Sequence, residues 1–452
     1  MRQKLWNWVW PASQGRGRML SLDVLRGVAI LMVLCAHVSP VWFPPPGTWT
    51  YSALNWVRDQ GPRGVDLFFV LSGFLVGGLL VREAKQYGQV DWKRFLIRRG
   101  FKIWPAYYVY LLFLPVAILV QHGHLFPYID DLRANFVHLQ NYWRASAEVL
   151  PGRGNFITPR PHTWSLAVEE HFYLGLTLLI VLLTRPWAVR RGALRLIPPL
   201  GLALGLFCLA ARTQFWNLHP GASGNYWRYP THFRMDALFF GVVLAYFYHF
   251  HKQRFLAAFR WWPATLAAGV ALQFLFPAPP PGLETPYTWT YGPTITYLGF
   301  ALVLGSLVTS GETSPFMLRL LRRGVFRAVA FIGFFSYSIY LWHWDLGLGA
   351  TKLITRLAGD LGAQGAGHSL LFTVPAVALY ASFAIGMGIV LGRLIETPAL
   401  ALRDKLLPRR TAAMEDSAGG SIEGSPPERP EAEPHPAEPE HASRPAAEPA
   451  LD

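Results

Sequence analysis

Cysteine is almost absent. Two residues, Cys35 and Cys208, stand in 452, and both lie inside apolar runs, so no disulfide framework and no thiolate metal site is expected; they read as small packing residues. Charge is scarce as well. Asp, Glu, Lys and Arg make up 15% of the chain against 52% hydrophobic residues, which excludes an ordinary soluble enzyme and leaves a polytopic membrane protein. No Gly-x-Ser-x-Gly nucleophile elbow occurs and no internal inverted repeat is visible. His122-x-His124 and His249-x-His251 have no third ligand, so no metal is expected. Basic Arg2, Lys4, Arg16 and Arg18 precede an apolar run, but that run contains Arg26 and lacks a small-residue cleavage site; it reads as an uncleaved helix.

What is present is a series of apolar runs near 20–42, 65–82, 103–121, 168–184, 194–211, 235–250, 261–277, 293–309, 328–348 and 372–395. They predict an all-α bundle of about ten membrane helices. The net charge of +14 alternates by loop instead of forming one patch, which speaks for orientation in a lipid bilayer and against a nucleic-acid partner. Clusters such as Arg94, Arg98, Arg99 and Lys102, or Arg319, Arg322, Arg323 and Arg327, fall in alternate loops, so both termini are expected in the cytoplasm. The outer loop from about 122 to 167 carries only Arg133, Arg144, Arg153 and Arg160. Residues 1–19 form a cytoplasmic lead, 20–400 the membrane domain, and 401–452 a tail rich in Pro and Glu, without aromatics, that cannot bury a core and is expected to be disordered.

The first run, Ser21 to Val41, carries Asp23, Arg26 and His37. An ionisable group in a spanning helix costs roughly 2.5–3.5 kcal/mol and marks function. Asp23 and Arg26 are spaced to pair. Arg26 and His37, eleven positions apart, share one face at two depths, roughly 16 Å of helix axis from each other. Five further stretches carry polar groups where apolar ones would serve. In Gly64 to Leu80 the small residues Ser72, Gly73, Gly77 and Gly78 permit close helix approach, and Asp66 lies at the outer mouth. In Arg94 to Tyr110 the cations Arg98, Arg99 and Lys102 recur at helical spacing; they serve either as membrane anchors or as a fork for phosphate. Pro159 to Leu179 contains Trp164 and the pair Glu169 and Glu170, which diverge by about 100° on a helix, so only one faces the core. Arg234 and Asp236, at the next entry, read either as an ion pair or as acceptor-binding groups, while Ser336, Tyr340 and His343 lie on one stripe of a ninth span.

Asp23-x-x-Arg26-Gly27 with His37, Phe-Phe-Val-Leu-Ser-Gly-Phe-Leu, Trp164-Ser-Leu-Ala-Val-Glu169 and Ser-Tyr-Ser-Ile-Tyr340-Leu-Trp-His343 together resemble the acyltransferase type 3 family, bacterial membrane O-acyltransferases, over most of residues 20–400. His171 stands where that family often has Gln, and Arg99-Gly-Phe-Lys102 ends in Lys where it has Arg, so the frame there is either this pair or Arg94 with Arg98. The resemblance implies transfer of an acyl group, commonly acetyl, from cytosolic acyl-CoA to a carbohydrate hydroxyl such as a lipopolysaccharide, capsule or exopolysaccharide unit, at the outer face of the cytoplasmic membrane. No cofactor is bound permanently; acyl-CoA is a co-substrate. In this reading Arg26, Arg98, Arg99 and Lys102 hold the donor phosphates, His37 is the general base, Glu169 orients it, and Asp66, Trp164, Arg234, Asp236, Ser336, Tyr340 and His343 line the acceptor side. Family members often carry an extra hydrolase-like domain; none is seen in this sequence, which implies a stand-alone enzyme or a separate extracytoplasmic partner. The rival from another class is a transporter of a small solute or glycan unit, since charges buried at two depths suit it too.

Overall fold

Arg26 and His37 share a helix, but His37 stands at its very end. In the computed structural model α1 spans Leu20–Ala36 and His37 is the C-cap, after which Ser39 and Pro40 turn the chain into a short 3-10 turn, Pro40–Trp42. The structure describes residues 19–408 apart from 127, 150–159, 221–223, 276–284 and 361–368. The basic amino-terminal residues, Arg153 and the tail after Pro408 lie outside the described residues. The tail boundary expected at 401 falls inside a helix, Thr397–Leu406.

Among the described residues every regular element is helical. α2 is Trp49–Gln60; α3 runs from Arg63–Ser72 through a π-helical turn, Gly73–Gly77, into Gly78–Tyr87. α4 is Trp92–His122, α5 Ile129–Phe136, α6 Gln140–Val149, α7 Trp164–Leu183 and α8 Ile197–Leu218. α9 is Met235–Phe250, α10 Trp262–Leu275, α11 Pro286–Thr313, α12 Gly324–Phe334, α13 Ser336–Asp360 and α14 Leu370–Leu391. The protein is therefore an all-α, multi-pass membrane bundle.

In all ten apolar runs the described residues are mainly helical, but they do not make ten equal spans. Six helical stretches are long and apolar enough to cross a bilayer on their own. Two bent pairs are long and apolar enough only when taken together: Lys252–Ala258 meets α10 at 69°, and α12 meets α13 at 76°. α1 and α9, with 17 and 16 residues, are shorter than a full crossing. The ninth run, read as one helix from the sequence, is thus broken at Phe335. The cause is contact: a Cβ on Gly333 would strike the Asp23 carbonyl of α1, and one on Gly27 would strike the Val329 carbonyl, so α12 lies backbone to backbone on α1 and cannot follow the direction of α13.

A second glycine crossing joins α3 to α9, where a Cβ on Gly73 would meet the Leu238 carbonyl and one on Gly241 that of Val70. Around it packs one apolar core, including Leu71, Val168, Val242 and Leu304. Another gathers Ile30, Tyr107, Ile339 and Tyr380 from α1, α4, α13 and α14.

The stretch expected to be a plain outer loop is tied down by buried polar groups. Arg144 on α6 makes a two-pronged pair with Asp131 on α5, at 2.9 and 3.1 Å, and donates to the Pro161 carbonyl at 2.9 Å. Thr163 donates to Asn135 at 2.8 Å, and Gln140 donates to the Thr163 carbonyl at 2.8 Å. This lattice fixes a 3-10 turn, Pro161–Thr163, from which α7 starts.

Candidate active site

A cavity of about 340 Å³ lies on the seam between the two cores, lined by Leu71 and Val76 from one and Leu166 and Tyr340 from the other. Five helices run along it. α1 contributes Arg26, α4 Arg99 and Lys102, α7 Ser165 and Glu169, and α13 Ser336 and Tyr340. α3 adds Phe68, Leu75 and Leu79 with the polar Ser72, and α13 also Tyr337.

The cation end is built mainly by α4. Asp91 caps this helix, accepting from the Arg94 amide at 3.1 Å, so the cations sit within the helix and not in a loop before it, as the sequence suggested. Its periodicity then divides them. Arg99 and Lys102, three apart, face the cavity, while Arg98 turns away to Asp404 at 3.2 Å and to the Leu407 carbonyl. Lys102 is paired with Glu396 at 2.5 Å, and Glu396 also accepts from Ser338. The Arg99 guanidinium lies 4.2 Å over the Tyr173 ring and donates to a Tyr173 hydroxyl shared with Ser72. Arg26 completes the group, within electrostatic range of both Lys102 and Glu169.

Glu169 belongs to this end. Its carboxylate lies in hydrogen-bond range of Ser72 and Tyr173 and beside Arg99. Glu170, one residue on, points elsewhere and accepts from the Trp104 indole at 3.3 Å, which is the divergence expected of adjacent helical positions. The structure thus brings Glu169 together with Arg99 and not with His37.

His37 sits at the other end, beyond the cavity wall. Its ring lies 4.8 Å from that of His343 and 4.9 Å from Trp344, centroid to centroid. A third imidazole, His162 from the Pro161–Thr163 turn, lies 5.0 Å from His343 and was not singled out by the sequence. Each ring has one nitrogen on a backbone carbonyl: His37 Nδ1 on Val33 at 2.8 Å, His343 Nδ1 on Tyr340 at 2.6 Å, and His162 Nε2 on Leu341 at 3.1 Å. A carbonyl only accepts, so those nitrogens carry protons, and in the neutral form of each ring the opposite nitrogen presents a lone pair. In the buried rings of His343 and His162 those second nitrogens have no hydrogen-bond partner. Among the described residues no group of His, Cys, Asp or Glu is disposed to hold a metal ion.

Tyr340 joins the two regions. Its hydroxyl donates to the His162 carbonyl at 2.7 Å, lies 2.5 Å from Ser165 Oγ, and its ring is 5.6 Å from His343. The tyrosine therefore lines the cavity with one face and touches the histidines with another.

Three further sequence candidates serve to tie helices together. Asp66 does not sit free at a mouth; it forms a buried pair with Arg234, whose guanidinium lies 5.7 Å over Trp164. Arg234 and Asp236 do not pair with each other. Asp236 bonds Arg212 of α8 at 2.9 Å, and Arg212 also donates to the Phe233 carbonyl at 2.5 Å and to Thr294 at 2.7 Å. None of Asp66, Trp164, Arg234 and Asp236 lines the cavity. Sequence reading also missed the buried pair of Arg160 with Asp345, to which Tyr110 donates at 2.7 Å. The one available signal was that Arg160 and Asp345 both flank quoted motifs in otherwise apolar surroundings.

A family model described as an acyltransferase domain matches residues 19–393. The peptidoglycan O-acetyltransferase OatA of Listeria monocytogenes is 27% identical over 331 residues, covering 72% of this chain and 49% of that protein. The O-acetyltransferase OatA of Staphylococcus aureus strain NCTC 8325 is 24% identical over 339 residues, covering 72% of this chain and 50% of that protein. A putative O-acetyltransferase of S. aureus strain MSSA476 is 26% identical over 333 residues, covering 72% and 50%. The chain spans about half the length of the curated relatives it matches, and no solved structure matches it. With the family model covering most of its length, and Arg26, Glu169, Ser336 and Tyr340 of the quoted motifs lining one cavity, the chain belongs to this acyltransferase family.

Proposed function

We propose that the protein is an O-acyltransferase of the cytoplasmic membrane that moves an acyl group, acetyl first among candidates, from cytosolic acyl-CoA to a hydroxyl of a carbohydrate acceptor on the outer side. The relatives named for peptidoglycan favour a cell-wall glycan over lipopolysaccharide as the acceptor class. The observation that carries the reading is one cavity with Arg26, Arg99 and Lys102 at one end and Tyr340, which touches the His37, His162 and His343 cluster, at the other. A solute carrier needs no such polarity of cations and neutral imidazoles.

The donor's phosphates lie among the cations, where guanidinium and ammonium groups form charge-assisted bonds. The arm reaches along the cavity towards the imidazoles, about 16 Å away along α1. His37, with Nδ1 engaged by the Val33 carbonyl, takes the acceptor's hydroxyl proton at Nε2 while the oxygen attacks the thioester carbon. The carbon–sulfur bond then breaks, the ester forms, and the imidazolium returns its proton to the CoA thiolate. Glu169 acts through Arg99, holding that guanidinium on the cavity, instead of orienting His37.

The test is purified protein in liposomes with acetyl-CoA on one side and a glycan acceptor on the other. Stoichiometric CoA release with acceptor acetylation, lost in His37→Ala, is the expected result. Acceptor crossing the bilayer unmodified with no CoA released would refute it in favour of transport.

A further inference from the structure

Ser336 is buried, 1% exposed, and its Oγ has no hydrogen-bond partner among the described residues, yet it lines the cavity. It is also the first residue of α13, a 25-residue helix that starts abruptly because of the 76° break at Phe335. The first-turn amides of such a helix have no intrahelical acceptor and carry the positive end of its dipole. An unused, buried hydroxyl donor thus faces the cavity at the start of a helix, where leaving it unbonded is costly. That hydroxyl, beside the positive end of the helix dipole, calls for an acceptor oxygen on a bound molecule.

Depth selects which oxygen. α13 and α1 both run from the cations to the histidines, since Tyr337 donates to the Ile103 carbonyl beside Lys102 at 2.9 Å and His343 meets His37. Ser336 precedes His343 by seven residues, roughly 10 Å of axis, and Arg26 precedes His37 by eleven, roughly 16 Å. An extended chain advances about 1.25 Å per bond, three bonds to each Cα step. In coenzyme A the thioester sulfur is thirteen bonds, about 16 Å, from the nearest phosphorus, and eight bonds, about 10 Å, from the amide carbonyl of the pantoyl unit. With sulfur at His37 and phosphate at Arg26, that carbonyl stands level with Ser336.

Resting on the acyl-CoA reading above, we propose that the Ser336 hydroxyl, at the positive end of α13, holds the pantoyl amide carbonyl of the donor's pantetheine arm. It acts as a ruler that sets how far the thioester reaches towards His37. A phosphate there would carry the sulfur of an extended arm several ångströms past the imidazoles, and the thioester carbonyl there would lie a full turn or more short of them.

The experiment measures binding of coenzyme A, and separately of adenosine 3′,5′-bisphosphate, to the full chain in nanodiscs. Ser336→Ala is compared with the parent, and Ser336→Cys, of the same size but a weak donor, is used if the first variant does not stay monodisperse. The expected result is about fivefold weaker coenzyme A binding with unchanged bisphosphate binding, the size of one neutral hydrogen bond. Equal weakening of both ligands would place Ser336 on a phosphate, and no weakening of either would leave it without a role; each overturns the proposal alone. Failure of the parent protein to bind coenzyme A would overturn it together with the donor assignment.

Discussion

The His37 ring lies edge-on to that of His343 with centroids 4.8 Å apart, so the end of α1 is held against the second turn of α13. His343 is fully buried and its Nδ1 is fixed on the Tyr340 carbonyl at 2.6 Å. His37 is thereby the more accessible of two neutral imidazoles. His37→Ala is expected to lower the rate of acyl transfer by a factor of about 10²–10⁴, the usual contribution of a positioned base. His343→Ala, which only removes the surface on which His37 rests, should cost less, with the donor's Kd unchanged in both. Initial rates of CoA release from matched amounts of folded protein decide this; a His37→Ala enzyme within a factor of three of the parent would sink the base assignment.

The two faces of α4 separate cations that the sequence presents as one group. Arg99 and Lys102 line the cavity, while Arg98 is committed to Asp404 and the Leu407 carbonyl. Arg99→Ala is expected to weaken coenzyme A binding by about 10- to 100-fold, the value of a charge-assisted hydrogen bond, and Arg98→Ala by less than about twofold. Titration calorimetry on the detergent-solubilised protein provides the comparison. Equal losses in the two variants would mean that the phosphate contact lies outside this cavity.

Stability should depend strongly on the polar lattice of the 129–163 stretch. Both members of the Arg144 and Asp131 pair are nearly inaccessible, with side chains 2% and 6% exposed. Removing one partner strands the other charge, and Asp131→Ala is expected to destabilise the protein by about 3–5 kcal/mol. Replacing both by apolar residues of similar volume should restore much of that. A thermal unfolding series in detergent, following the single and double variants, gives the answer.

Glycine crossings give a sharper contrast. Gly73 and Gly241 bring α3 and α9 into backbone contact, whereas a Cβ on Gly386 of α14 would meet nothing within 4 Å. Gly73→Val is expected to abolish recovery of folded protein, because the clash is with a carbonyl that cannot move, and Gly386→Val to be tolerated. Yields by fluorescence-detected size exclusion test both; normal recovery of Gly73→Val would show that the helices can separate without loss.

Much of this arrangement could be read from helical arithmetic alone. The spacing of Arg26 and His37, the divergence of Glu169 from Glu170, and the stripe of Ser336, Tyr340 and His343 all depend on angles and rises within one helix, which the order of residues contains; that Glu169 is the one facing inward came from the family resemblance. What escaped was every relationship across helices. Arg144 and Arg160 counted as loop charges because a tally of positive residues cannot see the carboxylates of Asp131 and Asp345 lying over them. Arg234 and Asp236 looked like partners because they are neighbours, but two positions apart they point away from each other, to Asp66 and Arg212. The break at Phe335 was hidden because hydropathy stays high through Phe331 to Leu341; its cause, α12 pressed on α1 at Gly27 and Gly333, lies outside the local sequence.

The ion pairs also bear on how the chain is made. Asp66 leaves the ribosome 168 residues ahead of Arg234, and Arg212 leaves 24 residues ahead of Asp236. A carboxylate on an early helix therefore has to wait, hydrated or sheltered by the insertion machinery, until its counter-ion is synthesised. Biogenesis of this protein should accordingly be a late, concerted closure of helices already threaded, and truncated nascent chains ending before residue 234 should remain extractable from the membrane while longer ones do not.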